Sequence, residues 1–165
     1  MALSQDYKDI LSTLSNHNVK YMVVGGYAFS AYGHPRATLD FDLFVEASQE
    51  NADAIFKALA DFGAPLESLR IKVSDFAHEG SIIQIGVPPC RIDIITKIDG
   101  VGFADAYERS VKGEIDGVPV RVISLEDLLT NKKAAGRPKD LGDIATIEHM
   151  MKNMGGLPGR TSGSQ

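Results

Sequence analysis

The sequence predicts an α/β (α+β) fold: a mixed β-sheet with flanking helices and a helical C-terminus. Three observations predict it. Apolar residues switch repeatedly between helical spacing and short strand-like runs. Asp116-Gly117 sits between two alternating segments and is the strongest short hairpin signal in the chain. The first strand ends on two adjacent glycines, Gly25 and Gly26, and not on the G-x-G-x-x-G that opens a Rossmann unit. Strands interleaved with helices plus a hairpin give helices packed on a sheet of mixed direction.

The elements follow in order. Tyr7, Ile10, Leu11 and Leu14 are spaced for one face of a helix over residues 5–17, and a polar connector leads to a strand over Tyr21–Val24. Tyr27–Tyr32 is a short, mostly apolar helix that must be buried or lie on the sheet, with Gly33 free to end it at positive φ. Pro35 turns the chain into a second strand, Leu39–Val45. Ser48 caps a helix over about 49–62, with Ala52, Ile55, Phe56 and Leu59 inward and Gly63-Ala64-Pro65 as its stop. Leu69–Val73 reads as a short strand or a loop. Strands follow over 81–86 and 91–97, then a helix over 103–110 and the two hairpin strands, 111–115 and 118–123. Ser124 with Asp127 opens a helix that ends at Gly136, and Pro138 sits at the start of the last helix, Lys139 to about Asn153. Residues 155–165, rich in Gly and Ser, are expected to be disordered, which leaves 1–154 as one domain.

Composition narrows the function classes. No apolar run approaches the roughly 20 residues a membrane span needs, and the polar, acidic start is unlike a signal peptide. A cytoplasmic location is expected. The single cysteine, Cys90, excludes an internal disulfide and a cysteine zinc cluster, and the scattered His17, His78 and His149 suggest no zinc site. A net charge of −5 weighs against a broad nucleic-acid surface.

The stretch from Tyr21 to Val45 carries the chemistry. Side chains on a strand alternate faces, so Asp40 and Asp42 point the same way. Thr38 and Phe44 share that face, while Leu39, Phe41, Leu43 and Val45 take the other. Two such carboxylates repel unless a cation lies between them, and an all-oxygen site of this charge suits Mg²⁺. Gly25-Gly26, at a strand-to-helix junction, lets backbone approach a ligand and offers helix N–H groups to an anion. Together they suggest a nucleoside triphosphate bound through its metal. Asp93, centred in the apolar run Arg91-Ile92-Asp93-Ile94-Ile95, is costly to bury unless it is paired or binds metal.

Gly25, Gly26, Arg36, Asp40 and Asp42, in that order, resemble the motif of the polymerase-beta-type nucleotidyltransferase superfamily. The resemblance is to its small bacterial branch of antitoxin, toxin and antibiotic nucleotidyltransferase-like proteins. Gly-Gly stands where the superfamily usually has Gly-Ser, so a serine hydroxyl contact to phosphate is missing; Gly-Gly occurs within the small branch. The resemblance implies a nucleotidyltransferase-like sheet and transfer of a nucleoside monophosphate from an NTP to an acceptor, with Mg²⁺ or Mn²⁺ as cofactor. Asp40 and Asp42 would hold the metal on the triphosphate. Asp93 would help hold a second metal and orient or deprotonate the acceptor hydroxyl. Lys132, Ala135, Arg137, Lys139 and Asp140 match a K-x-x-A…R-x-K-D pattern of the branch, which implies contacts from Lys132, Arg137 and Lys139 to triphosphate or acceptor. Asp143 is expected to pair with Lys139 at i,i+4. The acceptor stays open among protein, RNA and small molecule, as does a protein partner or homo-oligomer, and a toxin–antitoxin context rests on the resemblance.

Plainer readings stand beside these. Asp40 and Asp42 could be solvent-side residues of an edge strand, Gly25-Gly26 a tight turn, and Arg36 a structural ion pair. Asp93 could pair with Arg91 or Arg36, and the basic segment could be a solvated connection. Tyr27, Phe29 and Tyr32 are expected in the core and not as a base-stacking platform. At the level of function the alternatives are a nucleotide- or partner-binding module without turnover, and a metal-dependent phosphohydrolase.

Overall fold

The computed structural model describes residues 3–38 and 40–153. The first helix, α1 (Gln5–Asn16), is capped by the Ser4 hydroxyl, which accepts from the Tyr7 amide. It leads to β1 (Tyr21–Val24), α2 (Gly26–Ala31) and β2 (Asp40–Val45). Then come α3 (Gln49–Phe62), β3 (Ile82–Ile85), β4 (Arg91–Ile95), α4 (Phe103–Arg109), β5 (Val111–Ile115), β6 (Val118–Val122), α5 (Leu125–Ala135) and α6 (Asp140–Asn153). The expected mixed sheet, flanking helices and C-terminal helix are all present. Leu39, expected to open the second strand, and the tail expected to be disordered both lie outside the described residues.

The sheet has six strands in the order β3-β4-β2-β1-β6-β5. β1 pairs antiparallel with β2 and parallel with β6, while β2 pairs parallel with β4. The parallel β2–β4 register sets Asp42 directly opposite Asp93. Asp116 and Gly117, at φ of 52° and 77°, form the tight turn of the β5–β6 hairpin, as their sequence dictates.

Leu69–Val73 is not a strand. Arg70 takes φ of 58°, and turn hydrogen bonds from Leu69, Arg70 and Ile71 amides curl the chain before a 3-10 turn at Val73–Phe76. A strand cannot hold a left-handed residue in its middle, whereas Ile71 and Phe76 still reach the core.

The core fixes the strands that carry the acidic residues. Tyr7 stacks on Phe41 at 4.6 Å and meets Tyr27 edge-on at 5.6 Å. Its hydroxyl donates to the Arg91 carbonyl at 3.1 Å, tying α1 to the start of β4. Phe44 is buried under α4 against Phe103. Tyr27, Phe29 and Tyr32 are buried, as expected of core residues.

Candidate active site

Two neighbouring strands bring the acidic cluster together. Asp40 and Asp42 lie on one face of β2, and β4 places Asp93 beside Asp42. Strand alternation fixes the first relationship; the second depends on which strands become neighbours. Asp93 is buried. Burial, then the neighbouring charges of Asp93 and Asp40, push the Asp42 carboxyl up to about 7. Burial and Asp40 also raise Asp93, against the opposing pull of Arg91.

Gly25 closes the cluster from above. It takes φ of 69°, and a Cβ there would collide with the Asp42 carboxylate. A Cβ on Gly26 would meet Thr38 Cβ and Oγ1, both at 2.9 Å. Close approach therefore requires both glycines, and Gly25 is required by its positive φ as well.

Arg91, two residues before Asp93, is expected from sequence only as one partner of that residue. In the structure it engages two carboxylates. Its Nη2 donates to Asp40 Oδ2 at 2.8 Å, and its Nε lies 3.3 Å from Asp93 Oδ1. Among the described residues no group of three or more His, Cys, Asp or Glu is set to hold a metal ion. The guanidinium supplies the positive charge that Asp40 and Asp93 require. A divalent cation still fits the donor set. Asp93 Oδ1 is buried without a hydrogen-bond partner, and the 3.3 Å approach to Arg91 Nε has no hydrogen-bond geometry. The three carboxylates, of which Asp42 and Asp93 are both raised, are hard oxygen donors of the kind Mg²⁺ or Mn²⁺ takes.

Beside the carboxylates lies a polar cleft of about 320 Å³ lined by Gly25, Gly26, Asp42, Arg36, Thr38, Lys132, Arg137, Lys139 and Asp143, among others. All three expected basic residues, Lys132, Arg137 and Lys139, are thus gathered with the glycines and Asp42. α5 and α6 deliver them. Gly136 ends α5 in the left-handed conformation, and Asp140 pins the junction: Arg137 donates to it from Nε at 2.8 Å, from Nη2 at 3.1 Å and from its backbone amide at 3.1 Å. Asp140 is buried, and these bonds hold its carboxyl down at about 2.

Two pairings differ from expectation or resolve an open one. Asp143 does not pair with Lys139. It accepts Lys132 at 2.9 Å and Arg36 at 2.7 Å, because α6 turns that side chain across the cleft toward α5. Burial would raise the Asp143 carboxyl, but Lys132 and Arg36 outweigh it and hold it below the usual carboxylate range. Arg36 takes the ion-pair role and also lies 4.5 Å over the Phe29 ring.

The chain is similar to known proteins in family and in fold. The family described as "Nucleotidyl transferase of unknown function (DUF2204)" matches residues 3–158. No curated protein sequence matches the chain. Among solved structures, the fold is similar to TM1012 from Thermotoga maritima, for which nucleotidyltransferase is itself an inferred assignment; the TM-score is 0.55 at 19% identity, over 88% of each chain. It is similar to ANT(2")-Ia in complex with adenylyl-2"-tobramycin, with a TM-score of 0.58 at 17% identity, covering 90% of this chain and 87% of that one. The lincosamide antibiotic adenylyltransferase LnuA, bound to lincomycin, gives 0.59 at 14% identity over 90% and 98%. At these identities the likeness concerns the fold.

Proposed function

The chain belongs to the nucleotidyl transferase family DUF2204, and from that premise we propose that it transfers a nucleoside monophosphate from an NTP to the hydroxyl of a small-molecule acceptor. One observation carries the reading: Asp42 faces Asp93 across adjoining strands, directly beneath a Gly25 backbone that leaves no room for a side chain. A small acceptor is supported by two fold neighbours that handle antibiotics, ANT(2")-Ia and LnuA. The net charge of −5 argues in the same direction, against nucleic acid.

In the mechanism that follows, Asp40, Asp42 and Asp93 would hold Mg²⁺ or Mn²⁺. When bound there, the ion supplies neutralisation of phosphate charge and makes a hydroxyl more acidic. Gly25 and Gly26 let the triphosphate approach the backbone at the start of α2. Lys132, Arg137 and Lys139, gathered in the cleft, bind and orient the β- and γ-phosphates. Asp93, whose basicity is raised by burial, receives the acceptor proton. The acceptor oxygen forms a bond to the α-phosphorus, the bond to the β-phosphate oxygen breaks, and pyrophosphate leaves with that electron pair. The protein contributes position and fixed charge more than covalent chemistry.

Incubation with α-labelled NTPs, Mg²⁺ and a cell extract tests this reading. Label should appear in a small molecule, with pyrophosphate released in equal amount. Label in protein would shift the acceptor toward a toxin–antitoxin setting. Orthophosphate in place of pyrophosphate would indicate a phosphohydrolase.

A second reading has its own support. Arg91 already donates to Asp40 and sets its positive charge beside Asp93, and Gly26 stands where the superfamily usually has serine. These favour a module that binds nucleotide without turnover. Calorimetric NTP binding with no pyrophosphate release distinguishes it.

A further inference from the structure

A second cleft, of about 450 Å³, opens at the opposite end of β1. Its lining includes Lys20, Tyr21, Tyr107, Lys112 and Arg121, and shares no residue with the polar cleft beside Asp42. Tyr21 begins the strand that ends at Gly25, so the two clefts are separated by about 13 Å of strand.

The charges here are arranged at a cost. Lys112 and Arg121 are directly opposite in the antiparallel β5–β6 ladder. Like charges in that relationship repel and destabilise the pair. Among the described residues neither is within ion-pair distance of a carboxylate, and the lining contains no Asp or Glu, in a chain whose net charge is −5. Lys20 adds a third cation; its ammonium is 3.8 Å from Glu46, at the side of the cleft.

Arg121 is also held in position. Its Nη1 donates to Ser110 Oγ at 2.9 Å, and its guanidinium carbon lies 4.7 Å over the Tyr107 ring. Tyr107 in turn stacks on Phe103 at 5.2 Å. Neutral partners thus fix the guanidinium while leaving its charge uncompensated. Val19, Pro119 and Val120 supply an apolar wall beside it.

We propose that this cleft binds a phosphorylated small molecule with a planar ring, its phosphate on Arg121, Lys112 and Lys20 and its ring against the tyrosines and Pro119. An anion removes the Lys112–Arg121 repulsion, and a guanidinium already set by Ser110 and Tyr107 loses little freedom on binding. The volume suits a ligand of this size. The site is separate from the transfer chemistry and does not depend on it.

Calorimetry at fixed ionic strength, with inorganic phosphate and phenyl phosphate as probes, tests the proposal. Phenyl phosphate is expected to bind more tightly than phosphate, because it alone offers a ring. Arg121→Gln and Lys112→Gln should each weaken it by about tenfold, the usual scale for a hydrogen bond to a charged group. Lys139→Gln, in the other cleft, should leave it unchanged. If Arg121→Gln fails to fold, Lys112→Gln decides, since that side chain is exposed. No binding by the native protein overturns the proposal. So does binding that survives both cleft variants or that Lys139→Gln abolishes. A short RNA oligomer binding far more tightly than phenyl phosphate would overturn the small-molecule class.

Discussion

Arg36 donates to Asp143 at 2.7 Å, joining the turn after α2 to the last helix across the mouth of the polar cleft. Asp143 accepts Lys132 as well, so one carboxylate partners two cations that line the cleft, of which the proposed mechanism places Lys132 beside a triphosphate. Asp143→Ala should therefore leave Arg36 without its carboxylate partner and Lys132 with Asp140 alone, 3.6 Å away. We expect a loss of about 1–2 kcal/mol, discounted because Arg36 is partly exposed. An NTP supplies the missing negative charge, so it should raise the melting temperature of Asp143→Ala more than that of the native protein. Equal shifts in a thermal melt would contradict the arrangement.

Gly25→Ala combines a positive φ with a collision against the Asp42 carboxylate. A destabilisation of about 2 kcal/mol or more is expected, as such strain and displacement typically cost. NTP turnover should fall more steeply than stability, because the shifted group is Asp42. Chemical denaturation run beside a turnover assay separates the two effects.

Asp42 is raised to about 7 in the folded chain, above its ordinary unfolded value. The folded state therefore holds a proton that the unfolded state releases, so without divalent metal stability falls as pH rises from about 4 to about 7. Asp42→Asn removes that penalty. It should be more stable than the native protein at pH 8 in chelator, by on the order of 1 kcal/mol or about 3 °C in Tm, and this gain should vanish near pH 4. A variant that melts lower at pH 8 would show that the carboxylate is not strained.

Asp140 behaves in the opposite sense. Arg137 holds it down at about 2. The stabilisation is complete above the unfolded carboxylate value near 4, and it is lost as pH falls through about 2. Asp140→Asn should remove this acid-sensitive contribution, so its stability should change less than that of the native protein between pH 4 and pH 2. Acid titration followed by circular dichroism reads the difference.

Much of the site was legible because it rests on local rules. Strand alternation puts Asp40 and Asp42 on one face, adjacent glycines mark a close approach, and a charge centred in Arg91–Ile95 demands a partner. The rest depends on which strands and helices become neighbours, and one sequence does not encode that locally. Asp143 has Lys139 one turn away, yet it pairs with Lys132 and Arg36 because α6 crosses the cleft. Arg91 was visible as a partner for Asp93, but its hold on Asp40 needed the parallel register of β2 and β4. Lys20, Lys112 and Arg121 are isolated cations in the sequence and converge only once β1, β5 and β6 lie side by side.

The central claim is that Asp42 and Asp93 beneath Gly25 form a nucleotidyl-transfer site. Release of pyrophosphate from NTPs in Mg²⁺ and cell extract, compared between the native protein and Asp42→Asn, tests it most directly. The account predicts metal-dependent release that falls by at least about a hundredfold in a variant that remains folded, the scale of losing a principal electrostatic group. Undiminished release by folded Asp42→Asn would contradict it.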